Sequence, residues 1–404
     1  MMFREVSAVP RLLPYGARAG LWFAIAMFCV GCTSMKERNA QSPAPQEATQ
    51  KSPLQTASSQ QTALHERLTL LASRHGICNA DLAVVRNREL QSVDAAYGCA
   101  DYASATQESV FEAASLSKPV FAYAVLKLVQ QGKLDLDAPV LSYLPRGYAH
   151  RHFAHLADSP VDQVSDPALS AVTVRMALNH TSGLPNWSNG PLVFDGKPGA
   201  QWQYSGEGYV LLQRAVEAVT GENFDEFMQR TVFGPLGMTR SAYTREAKLE
   251  KHIVPGRDGR GGVLTPLPFR EPVAAFTLYT SARDYGRFLA ALLKDERSLQ
   301  QIVASPVPVS AKLDLSWGLG WGLERNRGEV FLWHWGNNPG YRAFVMASPR
   351  TGDGFVMFTN SETGLALAQP IGEEVLAGPH QVFRYHLLRD GLANLLCETL
   401  DVCL

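Results

Sequence analysis

No excess of charge of either sign exists in this 404-residue chain: Lys and Arg number 37, Asp and Glu 38, and the formal net charge is −1. Composition therefore offers no basic field for nucleic acid or for an anionic membrane surface. Apolar runs long enough to cross a bilayer are missing too. The run from Gly20 to Gly31 falls short of the roughly 20 residues that a spanning helix needs. Cysteine is scarce, at six. No zinc-hydrolase signature is complete. His150-Arg151-His152-Phe153-Ala154-His155 comes near one, but Ala154 stands where such a motif needs an aspartate ligand, so residues 150–158 are expected to form a polar surface loop. What remains is 46% hydrophobic and 19% charged, a globular composition able to bury a large core.

The front end reads as a targeting segment. Arg4, Arg11 and Arg18 precede the apolar run, the order of a secretory signal peptide. Val30-Gly31-Cys32 closes it and resembles the lipobox of bacterial lipoproteins, departing at Cys29, where leucine is usual. The expectation is lipidation of Cys32 and a periplasmic body tethered to a membrane. The outer membrane is favoured because Thr33, not aspartate, follows; plain secretion is the alternative. Residues 1–32 are assigned to the signal, 33–62 to a disordered tether and 63–404 to the folded domain. The tether is rich in Ser, Gln, Ala, Pro and Thr, cannot build a core, and would reach on the order of 30 Å. Export places Cys78, Cys99, Cys397 and Cys403 in an oxidising compartment, where four cysteines allow three pairings. Cys78 and Cys99 flank two strand-like segments, residues 80–86 and 91–97, about the turn Asn87-Arg88-Glu89. They are expected to face each other across the open end of that hairpin, leaving Cys397 and Cys403 to close a small loop.

Residues 64–74 carry an amphipathic helical pattern. After the hairpin, Ser115-Leu116-Ser117-Lys118 opens an apolar helix whose Val120, Phe121, Ala124, Val125 and Leu128 recur at helical spacing up to Gly132. Pro119 falls in its first turn, where a missing N–H costs least. Three residues separate Ser115 from Lys118, one turn on the same face. That places a nucleophilic hydroxyl beside an amine able to take its proton, provided burial keeps the amine neutral.

Further along, Leu178-Asn179-His180-Thr181-Ser182-Gly183-Leu184 and the stretch Pro198-Gly199 … Tyr204-Ser205 before a helical pattern at 210–220 resemble serine hydrolases related to class C β-lactamases and penicillin-binding proteins. Phe233-Gly234-Pro235-Leu236-Gly237-Met238-Thr239, Ala274 to Asp284, and His334-Trp335-Gly336 in the place of a Lys-Thr-Gly strand motif extend the likeness over roughly residues 63–390. The resemblance implies an α+β fold: an antiparallel β-sheet flanked by helices, with an inserted mainly helical lobe and the active site between them. It implies Ser115 as nucleophile, Lys118 and Tyr204 as proton-transfer groups, and backbone N–H groups of Ser115 and Asn337 as the oxyanion hole. His334, Trp335, Gly336 and Asn337 would meet substrate on an edge strand. No metal or organic cofactor is implied, and the protein is expected to be a monomer. No G-x-S-x-G elbow is present, which weakens the α/β-hydrolase alternative.

Gly206 stands where β-lactamases have the Asn of Tyr-x-Asn, and His334 where they have Lys. Both changes remove contacts to a β-lactam. The expected substrate is a small carboxylic ester or a D-amino-acid peptide, with a β-lactamase and a non-catalytic cell-wall-peptide binder as alternatives. The Gly-, Pro- and Arg-rich residues 254–272 should loop near the cleft mouth. Residues 330–333, 341–347 and 354–358 read as antiparallel strands and 365–376 and 382–396 as helices.

Overall fold

The computed structural model describes residues 53–99, 106–267 and 269–388. The signal segment with Cys32, the tether up to residue 52, and the expected Cys397–Cys403 pair lie outside these residues. Helix α1 (Pro53–Arg74) leads into the hairpin of β1 (Ala80–Arg86) and β2 (Glu89–Ala96). Asn87 and Arg88 sit at φ of 50° and 65°, the left-handed pair that a tight hairpin turn requires. A disulfide joins Cys78 to Cys99 at the open end.

The chain then leaves the sheet. β3 (Phe111–Glu112) pairs with β6 (Tyr279–Thr280), and α2 (Ser117–Gln130) follows the nucleophile turn. The inserted segment carries β4 (Ala149–Arg151) paired with β5 (Val161–Gln163), then α3 (Val174–Leu178), α4 (Glu207–Thr220) and α5 (Phe224–Met228). Helices α6 (Ala282–Lys294) and α7 (Glu296–Val303) return to the sheet. There β7 (Val307–Ser310), β8 (Leu315–Trp317), β9 (Gly322–Asn326), β10 (Glu329–Asn338), β11 (Tyr341–Ser348) and β12 (Asp353–Thr359) run in sequence before α8 (Ala368–Val375).

The eight-stranded sheet has the order β2-β1-β12-β11-β10-β9-β8-β7, antiparallel throughout. Strand alternation sorts its two faces. Leu82 and Val84 join α1 and α8 in one core, whereas Ala83 and Val85 join α2, α4 and α6 in the larger one. The fold is the expected antiparallel sheet flanked by helices, mixed α+β.

Several boundaries differ from expectation. Helix α1 starts at Pro53, so residues 53–62 of the expected tether are helical. Proline is tolerated at a first helical position, and extending a helix already anchored downstream costs little. Ser115 lies in a 3₁₀ turn, Ala114–Leu116, before α2 rather than in it. Ala114 has φ of 49°, which no right-handed helix can continue through. Residues 381–384 and 386–388 form two 3₁₀ turns where the expected helix would begin, with Val382, Phe383 and the intervening Tyr385 buried; residues 389–396 of that expected helix lie outside the described residues. Strand β10 is interior to the sheet, not an edge. Its pairing with β9, however, ends at Trp333, so from His334 onward one side of the strand has no strand neighbour.

Candidate active site

The nucleophile turn is held from behind. Ala113 N donates to Leu278 O (2.7 Å), Tyr285 Oη to Leu116 O (3.0 Å) and Tyr243 Oη to Ser117 O (2.9 Å). Ser117 Oγ donates to Ala114 O at 2.6 Å and accepts from Leu278 N at 3.0 Å. These bonds fix a turn whose left-handed Ala114 costs on the order of 1–3 kcal/mol in isolation and aim the half-buried Ser115 into the cleft.

Lys118 is fully buried, with Nζ 3.2 Å from Ser115 Oγ and 2.9 Å from Ala275 O. Burial pushes its amine well below the ordinary lysine value, which is what a base at this position requires. The Tyr204 ring lies 4.7 Å from that amine. Its hydroxyl is buried and makes no well-aligned hydrogen bond. Burial raises the phenol, and a loose approach by Ser115 partly offsets the rise. Proximity to Ser115 Oγ is therefore present, while the aligned bond is not, as is common where catalytic contacts tighten only around substrate.

His334 sits behind the cleft lining, its ring 6.2 Å from that of Tyr204. It is fully buried and does not line the cleft. Its Nδ1 donates to Trp335 O at 2.8 Å, which leaves Nε2 as a buried, unpartnered acceptor. Burial, reinforced by the neighbouring Lys118 amine, lowers it to about 3, so the imidazole is neutral at every physiological pH. Leu332 belongs to the larger core and Phe331, Trp333 and Trp335 to the other, while the His334 ring packs against Trp317 and Trp335. Gly336 also stays behind the surface, pressed against the Ala113–Ala114 backbone. Trp335 and the exposed Asn337 do line the cleft.

The cleft has a volume of about 690 Å³, within the usual range for small-molecule sites. A larger concavity of about 1260 Å³ between α4, α5 and residues 266, 267 and 269–272 contains none of the candidate residues. The described residues of 254–265 line neither, packing instead on the β10–β11 turn through Arg257 N to Gly340 O and Tyr341 Oη to Val254 O.

The segment expected to be a surface loop is a cleft wall. His150 is fully buried on β4 and lies 3.1 Å from Glu207 Oε2, His152 pairs with Asp162, and His155 packs edge-on against Phe269 and Phe276. Three imidazoles close in sequence thus point to three different partners.

Other site residues gave little sequence signal. His180, in the Leu-x-His-Thr-Ser-Gly-Leu stretch, is buried 4.3 Å from the Tyr204 ring and takes a hydrogen bond from Ser205 N at 3.1 Å; the motif flagged the stretch but not this role. Buried Glu112 accepts from Asn338 Nδ2 at 2.8 Å and ties the nucleophile turn to β10. Trp187 and Phe276 line the cleft, and only an aromatic residue directly after Leu184-Pro185-Asn186 could have hinted at the former.

Comparison with known proteins agrees with this geometry. The β-lactamase family model matches residues 63–377. Penicillin-binding protein 4* of Bacillus subtilis (strain 168) is 25% identical over 323 residues, covering 68% of this chain and 66% of that protein. Esterase EstB of Burkholderia gladioli is 32% identical over 201 residues, 40% of this chain and 47% of the esterase. The chain spans less than two thirds of the length of either. The solved D-alanine carboxypeptidase AmpC from Burkholderia cenocepacia shares the fold, with a TM-score of 0.64 at 17% identity over 78% of this chain and 99% of that one. Ordered motifs, an antiparallel sheet and a serine–lysine pair at the cleft floor all carry one conclusion: this chain belongs to the β-lactamase family of serine hydrolases.

Proposed function

We propose that the protein hydrolyses small carboxylic esters, or amides lacking a carboxylate, through an acyl-enzyme on Ser115. The observation that carries this reading is the Lys118 amine, buried and 3.2 Å from Ser115 Oγ. Lys118 takes the Ser115 proton as Oγ bonds to the substrate carbonyl carbon. The oxyanion is stabilised by backbone N–H groups of Ser115 and Asn337. Collapse breaks the ester or amide bond, and the leaving group departs with a proton delivered through Lys118 and Tyr204. Water then attacks the acyl-enzyme, gives its proton to the same pair, and frees the acid and Ser115.

The substrate preference follows from charge. Among the described residues lining the cleft there is no Arg or Lys, and His334 is neutral behind it. A β-lactam or peptide carboxylate would be desolvated there with no Arg or Lys to pair it, whereas an ester pays no such penalty. A fluorophosphonate probe followed by mass spectrometry should label Ser115, and Ser115→Ala should abolish hydrolysis of p-nitrophenyl acetate. Rapid nitrocefin turnover by the wild type, lost in Ser115→Ala, would overturn the substrate preference. The absence of any Ser115 adduct would overturn the hydrolase reading and favour a cell-wall-peptide binder. Export as a monomeric, lipid-anchored periplasmic protein is part of the same proposal. It predicts palmitate incorporation that Cys32→Ser removes.

A further inference from the structure

Gly206 and Trp187 fit each other in a way that neither residue needs alone. A Cβ on Gly206 would lie 2.6 Å from Trp187 Cη2, 2.8 Å from Cζ3 and 2.6 Å from Asn186 O. Every other residue at 206 would expel the indole. Gly206 N also donates to Asn186 O and Oδ1, each at 3.1 Å, so the loop carrying Trp187 is fastened to the start of α4. The indole then rests with its edge on Phe276 (centroids 4.9 Å apart, interplanar angle 74°) and its ring 5.9 Å from Lys118 Nζ. Despite those contacts Trp187 remains 41% exposed, and Phe153 in the same cleft 37%. Large aromatics left open inside a concavity, rather than scattered on convex surface, mark a place where something apolar docks.

We infer that the cleft selects esters and amides carrying an aryl group beside the scissile carbonyl, which stacks on the Trp187 indole that Gly206 admits. This rests on the hydrolase reading above and adds the substrate class. Phe153, Phe276, Trp335 and Leu387 enclose the rest of the space, with Asn186 and Asn189 at the polar rim. A flat indole face rewards a planar partner more than an alicyclic group of equal size, because offset and edge-on ring contacts add to simple burial.

The test uses the full chain and three esters followed by pH-stat: the isomers ethyl phenylacetate and benzyl propionate, which put the ring on the acyl or the alcohol side, and ethyl cyclohexylacetate. In the wild type at least one aryl ester should exceed the alicyclic ester in kcat/KM. Trp187→Leu, which keeps apolar bulk but not planarity, should cut that ratio about tenfold, and Gly206→Ala should do the same by displacing the indole. Equal losses on all three esters would mean that Trp187 merely keeps water from Lys118, and would overturn the inference, as would an unchanged ratio. Fluorophosphonate labelling separates the two levels. Labelled Ser115 with an unchanged ratio defeats the aryl preference alone, whereas an unlabelled wild type defeats the hydrolase reading and this inference with it.

Discussion

Replacing Gly336 by alanine should separate activity from stability. The added Cβ would overlap the Ala113 carbonyl oxygen and lie 3.2 Å from Ala114 Cβ and 3.3 Å from Ala113 C. A carbon needs about 3.3–3.6 Å to a carbonyl oxygen, so the two backbones must part by about 1 Å. The nucleophile turn cannot easily retreat, because Ala113 N, Leu116 O and Ser117 O are bonded to Leu278, Tyr285 and Tyr243. The end of β10 can move, since its pairing with β9 stops at Trp333. Displacement therefore falls on Asn337, the proposed second oxyanion donor. Losing such a donor, or misplacing it by about 1 Å, costs on the order of 10²–10³ in kcat. Overpacking of this kind costs only about 1–3 kcal/mol of stability. Steady-state kinetics on p-nitrophenyl acetate and urea unfolding of the same samples give both numbers. A Gly336→Ala enzyme with wild-type kcat would refute the claim that the close approach of β10 to Ala113 sets the oxyanion geometry.

Lys118→Arg retains the length and polarity of the side chain but cannot be neutral, so kcat should fall about 10³-fold while Ser115→Ala and the double variant are equally inactive; retention of activity would remove Lys118 as base. Buried Glu112, facing Asn338, Tyr279 and Arg245, is raised from 4.5 to about 7 chiefly by desolvation. The native state therefore keeps a proton that the unfolded chain has lost, and its stability contribution, complete below about pH 4.5, declines as pH rises to about 7. Relative to Glu112→Gln, the wild type should lose up to about 3 kcal/mol across that window in urea unfolding; parallel curves would contradict the shift. Cys78→Ser should cost about 3 kcal/mol in the same assay, the loop-closure value for a bond spanning a sequence separation of 21.

How much was legible from sequence depended on how locally each feature is determined. Ser115 and Lys118 are one turn apart, so their meeting was readable from spacing, as was the hairpin that Cys78 and Cys99 close. Tyr204 was readable only through its motif, because nothing near it in sequence reports a ring 4.7 Å from Lys118 Nζ. The Glu112–Asn338 bond joins residues 226 apart, and no local pattern encodes it. The left-handed Ala114 was hidden because alanine has no preference for that region; tertiary bonds to the turn impose it. The strand of His334 was found, but its depth was not legible, because every residue from Phe331 to Gly336 is buried and alternation does not separate the two faces.

The chemistry depends on which of two opposing effects governs Lys118. Tyr204, Tyr209 and Trp187 place rings 4.7, 5.6 and 5.9 Å from Nζ, an arrangement that would favour an ammonium by about 2 kcal/mol. Burying an ammonium costs several kcal/mol even after relaxation, and among the described residues no carboxylate bonds to this amine. Desolvation wins, and the amine is pushed well below the ordinary lysine value. The same dry surroundings neutralise His180 and His334, so neither imidazole can restore a local positive charge. An enclosure assembled from aromatic rings thus lowers the one lysine beside Ser115, while among the described residues no Arg or Lys lines the cleft. In the function proposed above, this double effect, rather than any single side chain, is what favours uncharged esters.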